Sequence, residues 1–275
     1  MSRERIPIFH LLATAVAPQP ATPPAQCNST STYCPAGISC CASQYSPTKQ
    51  GCQISPTSCC KPGPPLPPSP TLKNVLIIGD SVSIGYTSYA SPNVPELLSD
   101  VALAQHGPWD VSDGGAGTTG NGVACLDNWL VTQAQAPVAW DLITFNFGLH
   151  DLDNATAAES EYMEQLVNIT TRLQATGAQL LYITTTPYMP LRLLNNTVVE
   201  DLNAIANVVM AARAVPVLDL YTLVTDHCGA VPYEDCDWCR KHPCSYHYNP
   251  QGETPQAAYI AGTIRTMLAE PPRER

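Results

Sequence analysis

A serine in this chain stands where an apolar segment ends. The segment "LIIGDSVSIG" places Gly79, Asp80 and Ser81 in a turn between a predicted strand and the helix that follows it. A serine there has its hydroxyl near free backbone N–H groups and the positive end of a helix dipole, which favour developing negative charge. The position suits a nucleophile, and a helix N-cap formed by Ser81 or Asp80 accounts for the same residues equally well.

Two other segments supply histidines. "FNFGLHDL" places His150 beside Asp151 at the end of an apolar run, and "HYNPQG" places His247 just before the last predicted helix. Histidine is the side chain whose ordinary pKa suits proton transfer near neutral pH, so each could serve a nucleophile as its base. A third turn, "DGGAGTTGNG" (residues 113–122), is rich enough in glycine to bring backbone N–H groups close to a ligand.

Apolar runs that alternate with helical patterns must position these residues. Helical spacing of apolar residues predicts helices over 157–177 and 252–268. Strict alternation of strands and helices implies right-handed βαβ units around a parallel sheet covered on both faces, with ligands bound at the carboxyl ends of the strands. The sequence therefore predicts an α/β fold, a three-layer α/β/α sandwich with a five-stranded parallel sheet. The predicted strands are 73–79, 109–114, 140–148, 178–186 and 214–220.

The composition divides the chain into four parts. Residues 1–25 have the basic, apolar and small-residue pattern of a signal peptide. Residues 26–60 contain seven cysteines and almost no large apolar side chains, so disulfides must hold this part together. A linker at 61–71, with six prolines between residues 61 and 70, separates it from the α/β part at 72–270. Each of the two larger parts has an odd number of cysteines, so full pairing requires a bridge between them.

Several features predict a secreted glycoprotein. The 12 cysteines favour an oxidising compartment, and four N-x-[ST] triplets are candidate glycosylation sites. The net charge of −10 argues against a nucleic-acid or anionic-membrane partner. No apolar run is long enough to predict an integral membrane segment. The four triplets begin at Asn28, Asn154, Asn168 and Asn195.

The Gly-Asp-Ser block, the glycine-rich turn, "GLHD" and the late histidine together resemble the SGNH, or GDSL-type, hydrolase family over roughly residues 72–270. The resemblance implies a flavodoxin-like sheet and hydrolysis of carboxylic esters without a cofactor. "FNFGLHDL" and the later "TTTP" at 184–187 are similar to a branch of the family that has histidine where most members have the asparagine of a G-x-N-D block. The cysteine pattern of residues 26–60 in turn resembles a granulin-like module.

The resemblance also assigns roles to residues. It makes Ser81 the nucleophile, with its own N–H as one oxyanion donor, and His247 the base. Gly117 is the choice for the second donor, with Gly115 as the alternative. His150 occupies the position of the family's asparagine, which implies a third donor to the oxyanion.

The family expects an aspartate three residues before the base, and this chain has Cys244 there. Asp237, or after it Asp235, could supply the carboxylate that orients His247. Alternatively a backbone carbonyl orients the base and the enzyme works as a Ser-His dyad. Asp151 has two open roles: it could fix the tautomer of His150, or cap the helix that follows it.

Other functions were weighed against ester hydrolysis. His227, His242 and the cysteines of the segment 227–244 could hold zinc in a cytosolic protein, whereas disulfides are favoured in an exported one. A two-metal site on Asp80, His150 and Asp151 lacks further ligands, so no metal is predicted. A secreted binding protein with an inactive hydrolase fold is the alternative function. The predicted substrates are acylated carbohydrates, small esters or lipids.

Overall fold

The computed structural model describes residues 69, 71–106, 115–132, 136–152, 158–188, 197–231 and 233–269, together with five short strands between residues 25 and 60. The five strands form two small antiparallel sheets, β1-β2 and β3-β4-β5. The granulin-like resemblance stays a prediction. The strands are β1 (Ala25–Gln26), β2 (Tyr33–Cys34), β3 (Ser39–Ser43), β4 (Ser46–Gln53) and β5 (Cys59–Cys60).

Some predicted features lie outside the described residues. These are the signal peptide except for its last residue, most of the proline-rich linker, and the sequons at Asn28, Asn154 and Asn195. The fourth sequon residue, Asn168, is exposed on a helix. Glycosylation and the four-part division of the chain therefore stay predictions.

The α/β part is built on one five-stranded sheet in the order β10-β9-β8-β6-β7, and every pair in it is parallel. The predicted fold class is confirmed. Four of the five predicted strands overlap observed ones. The strands are β6 (Lys73–Ile78), β7 (Val101–His106), β8 (Leu142–Phe145), β9 (Gln179–Ile183) and β10 (Val217–Leu218).

The central strands are apolar on both faces because helices cover both faces of a parallel sheet. In β6, Val75, Leu76 and Ile77 are each 0% exposed, and every residue of β8 is buried. A strand that is buried on both faces requires a continuous apolar run of this kind. The register of β6 against β8 pairs Ile78 with Phe145 at the carboxyl ends.

The helices follow the predicted pattern where the sequence has clear periodicity. On α4, Tyr162, Leu166, Ile169 and Leu173 are all buried, as their helical spacing requires. None of the helices within the described ranges is long and apolar enough to cross a membrane. The helices are α1 (Ser81–Ile84), which continues as a π-helical turn at Gly85–Tyr89, α2 (Val94–Leu97), α3 (Thr119–Trp129), α4 (Ala158–Ala175), α5 (Thr197–Ala212), α6 (Leu220–Cys228) and α7 (Pro250–Ala269).

The second strand differs from the prediction. The observed strand is β7 at Val101–His106, whereas the predicted segment 109–114 lies outside the described residues. β7 is at the edge of the sheet and pairs only with β6, and its first three residues are only half-buried. An edge strand that ends in polar residues has a weaker apolar pattern than a central one, which explains why the sequence did not predict β7.

The strand order places a binding crevice next to β6. The chain leaves β6 towards β7 and then crosses to β8 on the other side of β6. Ligands of open parallel sheets bind at such a switch point, outside the carboxyl ends of the strands. Ser81 directly follows β6, and the "GLHD" turn (residues 148–151) directly follows β8, so the fold brings both to this crevice.

The cysteines after the linker are bonded rather than free. Cys228 bonds to Cys236 and Cys239 bonds to Cys244. Cys125 is disulfide-bonded as well, to a partner outside these four. The odd cysteine of the α/β part is therefore not a free thiol.

Candidate active site

Ser81 is the first residue of α1, and its neighbour caps the helix. The Asp80 carboxylate accepts a hydrogen bond from the Val82 N–H at 2.9 Å, so Asp80 rather than Ser81 is the N-cap. Burial raises the pKa of Asp80, while the nearby charge of His150 lowers it. Because Asp80 caps the helix, the Ser81 hydroxyl is available to another partner.

The glycine-rich turn lies directly against the turn that contains Ser81. Gly115 forms a backbone bridge with Asp80, and Ala116 donates its N–H to the Gly79 carbonyl oxygen at 2.9 Å. Gly115 has a φ of +76°, and a Cβ there would lie 2.3 Å from that carbonyl oxygen. Only glycine fits this approach. Gly117 follows this contact two residues further on, with a φ of +71°.

The turn after β8 is fixed by buried hydrogen bonds. The Phe147 carbonyl oxygen accepts from the hydroxyls of Tyr162, Tyr182 and Thr185 at 3.0, 2.9 and 3.0 Å. Gly148 has a φ of +143°, and a Cβ there would lie 2.4 Å from the Thr185 Oγ1 atom. This framework sets the direction in which the chain enters the "GLHD" turn.

His150 has a buried ring nitrogen that lacks a partner among the described residues. No described residue hydrogen bonds to its Nε2 atom. His150 follows β8 and Ser81 follows the neighbouring strand β6, so both lie at the same edge of the sheet. An unsatisfied buried polar atom is costly, so such an atom suits a partner that arrives with the substrate.

Asp151 makes a contact that differs from the two roles predicted for it. Its Oδ1 atom accepts from the Thr119 N–H at 3.0 Å and from the Thr119 hydroxyl at 2.7 Å. Burial raises the pKa of Asp151, and these two hydrogen bonds oppose that change. Asp151 therefore joins the "GLHD" turn to the first residue of α3. This contact connects the turn of His150 to the turn of Gly117. Residues 153–157, where a cap on the following helix would form, lie outside the described residues, so that role stays a prediction.

His247 reaches the serine. Its Nε2 atom lies 2.8 Å from the Ser81 Oγ atom, across 166 residues of sequence. Burial lowers the pKa of His247, and the nearby charges of Arg240, His150 and Lys241 lower it further. The imidazole is therefore neutral at pH 7, the form that can accept a proton.

The structure does not bring Asp237 or Asp235 to His247. The Asp237 Oδ1 atom lies 2.6 Å from the His227 Nε2 atom, and Asp235 pairs with His242 at 3.2 Å. The choice of Asp237 as the orienting carboxylate is therefore wrong for this arrangement. The reason is a closer partner: His227, on the last turn of α6, takes the carboxylate that the sequence alone made available to His247.

Two aromatic residues beside the base were missed. The ring of Tyr246 lies edge-on to the His247 ring at 4.4 Å and stacks on Tyr188 at 5.4 Å. Both tyrosines are half-buried. The aromatic residues that flank His247 in "SYHYN" could have indicated an aromatic ring beside the base, whereas the position of Tyr188 depends on the fold.

One group of potential metal ligands lies in the described part of the chain. His227, Cys236 and Asp237 come within 4.8 Å of one another. Cys236 is bonded to Cys228, so its sulfur is not the thiolate that zinc prefers. The cluster is therefore better explained as a disulfide next to a His-Asp hydrogen bond.

Comparison with known proteins agrees with the geometry. The model of the GDSL-like lipase/acylhydrolase family matches residues 77–254, a span that includes Ser81, His150 and His247. No curated protein matches the sequence.

Solved structures share the fold at low identity. A lipase/acylhydrolase from Enterococcus faecalis is 22% identical, with 74% of this chain and 100% of that one covered and a TM-score of 0.53. The esterase EstA from a Pseudoalteromonas species, solved with monoethylphosphonate as inhibitor, is 16% identical, with coverage of 72% and 100% and a TM-score of 0.53. The acetyl xylan esterase AlAXEase is 13% identical, with coverage of 70% and 99% and a TM-score of 0.55.

Proposed function

Because the chain belongs to the GDSL-like lipase/acylhydrolase family, it is an ester hydrolase, and we propose that Ser81 and His247 perform the reaction through a covalent acyl-enzyme. The observation that supports this most is the 2.8 Å contact between the Ser81 Oγ atom and the His247 Nε2 atom. A nucleophile within hydrogen-bonding distance of a neutral base is the arrangement that acyl transfer requires.

The proposed reaction begins with attack of the Ser81 Oγ atom on the ester carbonyl carbon, while His247 Nε2 accepts the serine proton. The tetrahedral intermediate collapses when its C–O bond to the alcohol breaks, and His247 returns the proton to the leaving alcohol. Water then attacks the acyl-enzyme with His247 again as the base. This step releases the carboxylic acid and restores Ser81.

The negative charge on the intermediate is proposed to be stabilised by three donors. These are the N–H groups of Ser81 and Gly117 and the ring of His150. A neutral imidazole can donate from one nitrogen, and an imidazolium from either. The unpartnered Nε2 atom of His150 supports this assignment, because an oxyanion would supply the missing partner.

We propose acylated carbohydrates as the main substrates of a secreted enzyme. The Tyr246 ring beside His247 offers an apolar surface on which the ring of a sugar alcohol could pack. Two disulfides in the described part of the chain and the predicted signal peptide support secretion.

A substrate panel tests this proposal. We expect acetylated xylan to release acetate, because a sugar can pack against Tyr246. For an enzyme that acts on acetylated sugars, nitrophenyl acetate should be hydrolysed faster than the esters of longer acids. The measurement is the initial rate on nitrophenyl esters of increasing chain length, on acetylated xylan and on phosphatidylcholine vesicles. Preference for long-chain esters together with phospholipid hydrolysis would replace the carbohydrate proposal by a lipase.

The two substitutions of His150 should differ. His150→Asn keeps a side-chain N–H donor and should retain kcat within about tenfold, whereas His150→Ala should lower kcat by about 10²–10³-fold, as loss of one oxyanion donor does. The measurement is kcat on nitrophenyl acetate.

His242 supplies the matched control for this pair. It is exposed and pairs with Asp235, so His242→Ala should leave kcat within about twofold, as surface substitutions usually do. Equal and complete loss in both His150 variants would show instead that His150 is a base or a ligand.

A further inference from the structure

We infer that the Cys239–Cys244 disulfide positions the base His247 in place of an orienting carboxylate, so that Cys239 and Cys244 are positioning residues for the reaction. The inference rests on the proposed function, because it assigns how His247 is held. It adds a role to a bridge that the family assignment does not explain.

The first observation is that no carboxylate within the described ranges holds the ring. Among the described residues, the His247 side chain hydrogen bonds to Ser81, and no aspartate or glutamate hydrogen bonds to it. Its pKa is lowered by burial and by neighbouring positive charges, and no acidic group contributes. In serine hydrolases with a triad, the carboxylate both orients the imidazole and stabilises its charged form. Among the described residues, the contacts of the backbone around His247 are therefore the candidates for orienting it.

The second observation is that a disulfide cross-links the loop directly before His247. The Cys239–Cys244 bridge spans five positions and ends three residues before His247. Both cysteines are buried, at 2% and 4% exposure. The Cys228–Cys236 bridge connects the start of the same loop to the last residue of α6.

The third observation is that the bridged loop is bonded to the backbone around His247. The Arg240 N–H donates to the His247 carbonyl oxygen at 3.0 Å, and Cys239 forms a backbone bridge with Tyr248. The Asn249 Nδ2 atom donates to the carbonyl oxygens of Asp237 and Cys239 at 2.7 and 3.0 Å.

These contacts fix the chain on both sides of His247. When the backbone is held in this way, only the two side-chain torsions of His247 can change the position of its ring. The Tyr246 ring, 4.4 Å away, restricts both torsions. The disulfide thereby reduces the conformational freedom of the chain that carries His247, which in a triad the hydrogen bond to the carboxylate restricts. The bridge orients the base through the backbone, whereas it adds no charge to stabilise the imidazolium.

The test removes this bridge by substitution and measures kcat per titrated active site. Cys239→Ala with Cys244→Ala should lower kcat per active site on nitrophenyl acetate by about 10–100-fold, because a small displacement of a catalytic group can cost about 10²-fold. KM should change by less than about threefold, since uniform substrate binding is not affected. Active sites are counted with a nitrophenyl alkylphosphonate, so loss of folded protein does not change the value.

The other bridge is the matched control. Cys228→Ala with Cys236→Ala removes a disulfide of the same loop that is further from His247, and kcat per active site should fall by less than about threefold. The inference is overturned if the Cys239/Cys244 variant keeps its kcat per titrated site, or if the two double variants lose the same factor.

A milder variant covers the case in which the double variant does not fold. Asn249→Ser keeps an oxygen for the hydrogen bonds that Asn249 Oδ1 accepts at the start of α7, and it removes the two Nδ2 bonds to the loop. We expect about a fivefold or greater loss of kcat per active site, and an unchanged value would contradict the inference. A wild-type enzyme without Ser81-dependent hydrolysis would contradict the proposed function itself, which is a different result.

Discussion

Ser81→Ala should lower kcat/KM for nitrophenyl acetate by about 10⁴-fold or more, which corresponds to roughly 5 kcal/mol of transition-state stabilisation. The reason is that the variant has no atom at the position 2.8 Å from the His247 Nε2 atom that could form an acyl-enzyme. The oxyanion donors and the binding surface persist, so a small rate above that of water should remain.

The control for this variant is Ser83→Ala. Ser83 is buried in the same helix and donates its hydroxyl to the Asp80 carbonyl oxygen at 2.6 Å. Loss of this bond should lower stability by about 1 kcal/mol and leave the chemistry largely intact. If Ser81→Ala and Ser83→Ala lose activity equally, the nucleophile has been assigned to the wrong residue.

His247→Ala should lower kcat on the order of 10⁴-fold, because residues that act as one unit in proton transfer each cost nearly the whole effect. KM should change little, since the imidazole acts mainly in the transition state. The measurement is kcat and KM for nitrophenyl acetate at several pH values.

The pH dependence identifies the base. A general base works in its neutral form, so activity should rise as pH increases through the pKa of His247 and stay high above it. Burial and the charges of Arg240, His150 and Lys241 lower that pKa, so the acid limb of kcat/KM should lie below pH 6.5. The limb should be absent from the residual rate of His247→Ala. A limb at or above pH 6.5, or one that persists in the variant, would contradict the role of His247.

The sequence predicts well those features that depend on a single strand and the turn that follows it. β6 and β8 are buried on both faces, so their apolar runs are continuous and easily recognised. The turn of Ser81 follows from the end of β6, and the turn of His150 from the end of β8. The sequence placed both turns at the carboxyl ends of parallel strands, and the structure adds that these two strands are neighbours.

Pairings between distant side chains were harder to predict. Asp237 was assigned to His247, but His227 lies close enough to pair with it. Asp151 was assigned to His150 or to its own helix, but it hydrogen bonds to Thr119, 32 residues earlier in the chain. In both cases several partners were chemically equivalent, and only the distances between them in the folded protein decide which is used.

The most direct test of the account is the mass of the protein after reaction with a nitrophenyl alkylphosphonate, which reacts with a serine activated by a base. We predict one adduct per wild-type chain, located by peptide mapping on Ser81, with loss of esterase activity in proportion to labelling. Ser81→Ala should take up no adduct, and His247→Ala should react far more slowly than wild type. Inactivation with the adduct on another residue, or hydrolysis by wild type that labelling does not reduce, would contradict Ser81 and His247 as the catalytic pair.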